Sequence, residues 1–308
     1  MGVLAVFSWL LPPQAARSSA QPSSSATSEG SLDMRADDND RRVPLSALAR
    51  RYRHFLLDLD GCLFVGEAPT ERAVAAMSAL REASKGIVFL TNEVGSSPEE
   101  IVRKLWRLGF QASLDEVLTA GAALQFLLAS SRPSGGAAYV VGSQAVVDHV
   151  AEAGLRIVNH TEFATRADVV VVADHERFDY AELRIATQAV LRGAELIGLN
   201  RDRTFPMPDG VWPGSGAVLA AVETATGRKA DAVVGKPEPA LYEAARDRLG
   251  DGKTLAVGDR LDADVLGAKR AGLDSALVLT GVTGRAQVDG AQPAPTHVAD
   301  SLAALLLT

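Results

Sequence analysis

The chain has one cysteine, Cys62, among 308 residues. That excludes an internal disulfide framework and any zinc site built on paired cysteines. It fits a reducing compartment, and a cytoplasmic location is expected. Histidine is also scarce: the residues at 54, 149, 160, 175 and 297 form no HxH or HxxxH pair, so there is no histidine-cluster metal site. Positive charge is not in excess. Asp and Glu number 38 against 31 Lys and Arg, a net charge of −7, and no nucleic-acid partner is expected. No apolar run reaches the roughly 18 residues of a membrane helix, so no membrane partner is expected either.

The nearest approach to such a run is VLAVFSWLL, Val3 to Leu11. No positively charged stretch precedes it, as a secretory signal requires. Met-Gly opens the chain, but Val6 stands where a myristoylation motif needs Ser or Thr. A Ser/Ala/Pro/Gln-rich stretch runs to Ser31, and the charged segment DMRADDNDRR follows. Residues 1–42 read as a disordered segment. The alternatives are a start-site artefact ahead of a true start at Met34, or a marginal signal or anchor.

The rest is ordinary globular material. Hydrophobic residues are 47% and charged residues 22%, enough apolar mass for a sizeable core. At roughly 150 residues per domain, the length suggests two domains. From Val43 onward short apolar runs alternate with amphipathic stretches, and no repeat of fixed period appears. Strands are expected at Phe55–Leu57, Ile87–Leu90, Tyr139–Val141, Val169–Val172, Leu196–Leu199, Ala232–Val234, Leu255–Val257 and Ala276–Leu279. Ser97-Pro98-Glu99-Glu100 is a capping box with proline at the first helical position, opening a helix that ends before Gly109. Asp179 to Glu182 opens another that closes at Gly193, and Pro237 to Leu249 reads as a third. Strand and helix in alternation indicate an α/β fold with parallel sheets.

Ligands of open α/β sheets bind beyond the carboxyl ends of the strands. Four expected strands end in polar clusters: Asp58-Leu59-Asp60-Gly61, Thr91-Asn92, Gly235-Lys236-Pro237, and Gly258-Asp259 with Asp262 and Asp264. Each has an ordinary explanation when taken alone. Asp-x-Asp-Gly is turn chemistry, and its glycine is misplaced for an EF-hand. Thr91 suits a cap or a strand, and the last cluster suits a solvated helix start. Lys236 resists such a reading, because a cation ahead of a helix opposes its dipole. It is not a Walker A lysine, since Ala230 and Pro237 break that pattern. Four such clusters, each following an apolar strand, are not a chance arrangement. Gathered carboxylates repel unless a cation or proton sits among them, and oxygen-only ligands favour Mg²⁺. One carboxylate can attack phosphorus and a second can act as general acid and base. A lysine and a threonine can hold phosphoryl oxygens. These residue types point to phosphoryl transfer.

With these motifs in this order, residues 50–285 resemble the haloacid dehalogenase superfamily. Leu199-Asn200-Arg201-Asp202, Pro213-Gly214-Ser215-Gly216-Ala217 and Ala225-Thr226-Gly227 resemble its large α/β-cap subgroup, which contains p-nitrophenyl phosphatases, phosphoglycolate phosphatases and NagD-type nucleotidases. Gly258-Asp259-Arg260-Leu261-Asp262 is also similar to actinobacterial glycerol-3-phosphate phosphatases. The resemblance implies a Rossmann-like parallel-sheet core over 43–120 and 230–308, with an inserted α/β cap over 121–229. It implies Asp58 as nucleophile and Mg²⁺ ligand, and Asp60 as general acid/base whose backbone carbonyl also binds the metal. Thr91, Asn92 (through its backbone) and Lys236 would bind the phosphoryl group, and Asp259 and Asp264 would complete the metal site.

There are departures. Glu93 stands where the subgroup usually has a second Asn, adding negative charge near a phosphate site. Thr119-Ala120-Gly121 and Val172-Ala173-Asp174-His175 differ from the usual segments, and Cys62 reads as a small buried residue. Candidate cap residues for the substrate's polar part are His175, Arg177, Asn200, Arg201, Asp202 and Arg203. The resemblance implies a small phosphate ester as partner, glycerol 3-phosphate first and then a nucleotide or phosphoglycolate, and a homodimer formed through the cap. A phosphomutase and a non-catalytic phospho-ligand sensor are the competing readings.

Overall fold

A computed structural model of the chain describes residues 44–93, 96–173, 175–207 and 210–308. The expectations for residues 1–42 lie outside them. Two parallel sheets dominate. The first has six strands in the order His297–Ala299, Asp274–Val278, Thr254–Gly258, His54–Asp58, Gly86–Thr91, Val117–Thr119. The second has five, in the order Ala232–Val233, Glu195–Gly198, Val169–Val172, Ala137–Val141, Arg156–Ile157. It is inserted between the sixth and third strands of the first, as an α/β cap within a Rossmann-like core requires.

Both sheets are covered on both faces, which is why their strands read as unbroken apolar runs. Phe55 and Leu57 point to one face of the first sheet, with Phe89, Leu255 and Val257. Leu56 points to the other, with Val88, Leu90 and Ala256, against Leu241, Tyr242 and Ala245 of the helix Ala240–Leu249. In the second sheet Val140, Val171 and Ile197 face the helices Ala120–Ser131 and Gln144–Glu152. Val141, Val170 and Leu196 face Tyr180–Leu191 and Ser215–Thr226. The strand alternation of period two sends successive residues to opposite layers.

The helices at Pro98–Arg107 and Tyr180–Leu191 start on the expected capping boxes. Two expectations need correction. The strand Ala232–Val233, assigned to the core half from 230, pairs with Glu195–Gly198 in the second sheet. Asp231 fixes it there: its backbone N–H donates to the Leu196 carbonyl, and its carboxylate accepts from the Leu196 N–H, each at 2.8 Å. The helix expected from Pro237 begins only at Ala240, because residues 235–239 form a turn. Lys236 therefore lies on the segment joining the two sheets, and the helix-dipole argument does not apply to it.

At the other side of the second sheet Asn159 acts as a strand substitute. Its side chain accepts from the Val140 N–H at 2.9 Å and donates to the Val140 carbonyl at 2.7 Å. Asn159→Ala leaves both groups of the buried Val140 unpaired. It should destabilise the protein by roughly 2–4 kcal/mol, about the desolvation penalty of two orphaned backbone groups, and lower the urea midpoint accordingly. An unchanged midpoint would show that this clamp contributes nothing.

Candidate active site

The sheet brings its carboxyl-end residues together. Asp58 ends the strand His54–Asp58, and Asp259 and Asp264 follow the neighbouring strand Thr254–Gly258. Oxygen atoms from these three carboxylates lie within 4.8 Å of one another. The chain after Asp259 makes one wide π-helical turn, Leu261–Val265. That turn buries Asp264 and leaves Asp262 half exposed. Lys236 is the cation between them. Its Nζ is 2.5 Å from Asp58 Oδ1 and 2.7 Å from Asp264 Oδ1.

Close approach is possible because glycines leave room. A Cβ at Gly258 would lie 2.2 Å from Asp264 Cγ. At Gly61, where φ is +77°, it would lie 2.5 Å from Asp259 Oδ2. Asp259 is further held by the Val282 N–H at 2.5 Å, and its backbone carbonyl accepts from the Thr283 N–H. Thr280 donates to the Gly61 carbonyl and so ties the same loop to the Asp58 turn. The sequence reading missed this loop. Its signal was Thr280-Gly281-Val282-Thr283, a polar cluster after the expected strand Ala276–Leu279.

Burial pushes the Asp58 carboxyl up, and the Lys236 ammonium pulls against it. Burial, reinforced by the Asp264 charge, raises Asp259 to about 6. Three buried carboxylates facing one ammonium leave negative charge uncompensated. All their donor atoms are hard oxygens, so the set fits a divalent cation of the Mg²⁺ type. The Asp60 carboxylate is not in that set. It opens to the cleft, and desolvation by the surrounding walls raises its pKa, opposed by Lys104 and assisted by Glu93.

Thr91 is buried at the end of Gly86–Thr91. Its Oγ1 accepts from the Glu93 N–H at 3.0 Å, which leaves its own O–H to donate. Asn92 uses its side chain as a clamp. Oδ1 accepts from the Lys236 N–H at 2.7 Å, while Nδ2 donates to the Lys236 carbonyl at 3.1 Å and to Asp202 at 3.0 Å. Asn200 donates to the Asn92 carbonyl at 3.5 Å and accepts from the Asp202 N–H at 2.9 Å. Asn200 and Asp202, on the segment after the second-sheet strand Glu195–Gly198, therefore do reach the core motifs.

Arg201 and His175 are engaged elsewhere. The Arg201 guanidinium turns to the buried Glu223 at 3.0 Å, which Lys229 also contacts. His175 Nε2 lies 2.9 Å from Glu182 and its ring meets Phe178 edge-on. Among the described residues, no hydrogen bond or ion pair joins either side chain to the core motifs. Cys62 is a free, buried thiol whose pKa burial raises well above its ordinary value, which makes it a poor nucleophile.

Asp259 gives a pH-dependent expectation. Its folded value of about 6 lies above the ordinary carboxylate value of 3.8, so ionising it works against the metal-free fold. That penalty is full above about pH 6 and fades as pH falls toward the ordinary carboxylate value. Asp259→Asn should therefore stabilise the chelator-treated protein near neutral pH, by on the order of 1–3 kcal/mol, with the gain shrinking toward about pH 4. Thermal unfolding across pH checks this. A gain that does not vary with pH would remove the electrostatic explanation.

Comparison with known proteins agrees with this geometry. Residues 55–156 match the family model of haloacid dehalogenase-like hydrolases, and residues 233–305 match a second model described as HAD-hydrolase-like. The chain is 37% identical to the D-glycerol 3-phosphate phosphatase of Mycobacterium tuberculosis, over 85% of this chain and 73% of that protein. It is 32% identical to an acid sugar phosphatase of Staphylococcus saprophyticus, over 80% and 94% of the two chains. A crystal structure of the Mycobacterium tuberculosis glycerol phosphate phosphatase in complex with magnesium superposes with a TM-score of 0.75 at 38% identity, covering 85% of this chain and 78% of that one. Among the described residues, no helix is long and apolar enough to cross a membrane. Two matched segments, and relatives at least 30% identical aligned along most of their length, place the chain in the haloacid dehalogenase-like hydrolase family.

Proposed function

We propose that this hydrolase, whose relatives are phosphatases, cleaves small phosphate monoesters through an aspartyl-phosphate on Asp58, with glycerol 3-phosphate or a similar polyol phosphate as substrate. The observation that carries the reading is the Asp58–Lys236–Asp264 cluster, with Asp259 beside it at the strand ends. The substrate class rests on the likeness to the glycerol phosphate phosphatase. Asp58, Asp259 and Asp264 would hold a Mg²⁺ ion, together with the Asp60 backbone carbonyl. When bound, that ion offsets the carboxylate charge and polarises phosphoryl oxygens.

The chain's own groups divide the remaining work. An Asp58 oxygen forms a bond to phosphorus while the ester P–O bond breaks. Asp60, whose carboxyl desolvation raises above its ordinary value and so makes it a better proton donor, delivers a proton to the leaving alkoxide. The Asp60 carboxylate then takes a proton from water. That water attacks the phosphorus, the acyl-phosphate P–O bond breaks, and Asp58 and inorganic phosphate are released. Thr91 donates its hydroxyl proton, and Lys236 its ammonium protons, to the phosphoryl oxygens. Asn92 holds the Lys236 peptide from both sides, so the ammonium is fixed before substrate arrives. The inserted sheet would close over this crevice and exclude water and bulky substrates.

Phosphate release from a panel of small monoesters, with and without Mg²⁺, tests the reading. Mg²⁺-dependent release should be highest on a polyol phosphate, and Asp58→Asn should lose roughly a thousandfold or more. A nucleotide or phosphoglycolate as best substrate would replace the substrate assignment. An Asp58→Asn protein as active as the wild type would remove the nucleophile.

A further inference from the structure

Arg260 follows Asp259 directly, and its side chain points away from the metal-ligand cluster toward the cap. Its Nη2 lies 3.2 Å from Asp202 Oδ1, and its Nη1 lies 3.5 Å from the Thr204 carbonyl. Both partners belong to the segment after the cap strand Glu195–Gly198. The other Asp202 oxygen accepts from Asn92 Nδ2. Asp202 thus spends both oxygens on core residues. Burial raises its carboxyl even with Arg260 beside it, which marks the contact as largely desolvated.

These contacts close a ring. Asp202 binds Asn92. Asn92 holds the Lys236 peptide. The Lys236 ammonium binds Asp264 Oδ1. Asp264 Oδ2 accepts from the Arg260 N–H at 3.0 Å, and the Arg260 guanidinium returns to Asp202. One cap carboxylate therefore bridges the two core loops that carry Asn92 and Arg260.

We propose that the Asp202–Arg260 pair is a latch that holds the cap closed and, through Asn92, positions Lys236 for the phosphoryl group. Asp202 is then a positioning residue and does not recognise substrate. The inference rests on the phosphatase reading of the same site. The latch has two satisfied states. Arg260 also grips Asp262 through two nitrogens, Nε at 3.1 Å and Nη2 at 3.2 Å, so it keeps a counter-ion when Asp202 departs. Asp202 is rehydrated on opening. Opening therefore leaves no buried charge orphaned, the condition for an equilibrium that substrate can shift. Neutralisation by Arg260 also explains how an acid is tolerated beside a phosphate site.

The test uses the full chain with Asp202→Asn, Arg260→Gln and the double variant, read by small-angle X-ray scattering and by kcat and KM. Each single change should enlarge the radius of gyration and lower kcat/KM about tenfold, the scale of losing a partly buried ion pair. The double variant should be no worse than the poorer single, because both remove one interaction. Asp202→Glu, which keeps the charge, should recover compactness. Scattering that matches wild type in both single variants, or effects that add in the double, would overturn the latch. Should Arg260→Gln fail to fold, Arg260→Lys with Asp202→Asn runs the same comparison. Asp58→Asn is the control: it abolishes turnover and leaves scattering unchanged. If wild type turns over no ester, the phosphatase reading fails, while scattering still decides the latch.

Discussion

Three carboxylates crowded around one ammonium are the constraint on which the rest of the molecule depends. Asp58, Asp259 and Asp264 repel one another in a poorly solvated crevice, and Lys236 offsets only part of that charge. Such a site is unfavourable to fold and useful to operate. Burial, with the Asp264 charge beside it, raises Asp259 to about 6, and the same uncompensated carboxylate charge prepares the site for a divalent cation. The surrounding structure accordingly over-determines each carboxylate. Asp259 is held by the Val282 N–H, Asp264 by the Arg260 N–H and Lys236, and glycines at 61 and 258 permit the approach.

The two sheets contribute unequally. The core sheet supplies rigid strand ends, because its strands are buried on both faces and paired on both sides at His54–Asp58. The cap supplies Asn200 and Asp202 from the segment after Glu195–Gly198, and its edge strand Ala232–Val233 leads into Lys236. Lys236 is thus placed by cap and core together. A residue that belongs to the joint can report cap position to the chemistry, which a residue on a core strand cannot.

Much of this was legible in the sequence. Fully buried parallel strands leave unbroken apolar runs, so the eight expected strands fall on observed ones, with ends differing by a residue or two. The motifs were legible because polar residues at strand ends stand out against those runs. Short edge strands such as Arg156–Ile157 were not, since two residues carry no period. Pro237 misled because proline favours both the first helical turn and a preceding loop, and here the turn at 235–239 prevailed. Arg201 and His175 suit substrate contact by composition alone, but Glu223 and Glu182 engage them, and the pairing is not visible in the local sequence. The Asp202–Arg260 pair joins residues far apart in sequence, and no local pattern announces it.

The proposed reaction requires the Asp58 carboxylate to take the phosphoryl group. The most direct measurement is to mix the Mg²⁺-loaded enzyme with a fast-leaving monoester such as p-nitrophenyl phosphate, quench in acid within one turnover, and weigh the peptide that contains Asp58. A fraction of that peptide should carry one added phosphoryl group, lost on mild base treatment as an acyl phosphate is, and absent in Asp58→Asn. Full turnover with no phosphoryl group on that peptide at any quench time, or a label that persists in Asp58→Asn, would contradict it.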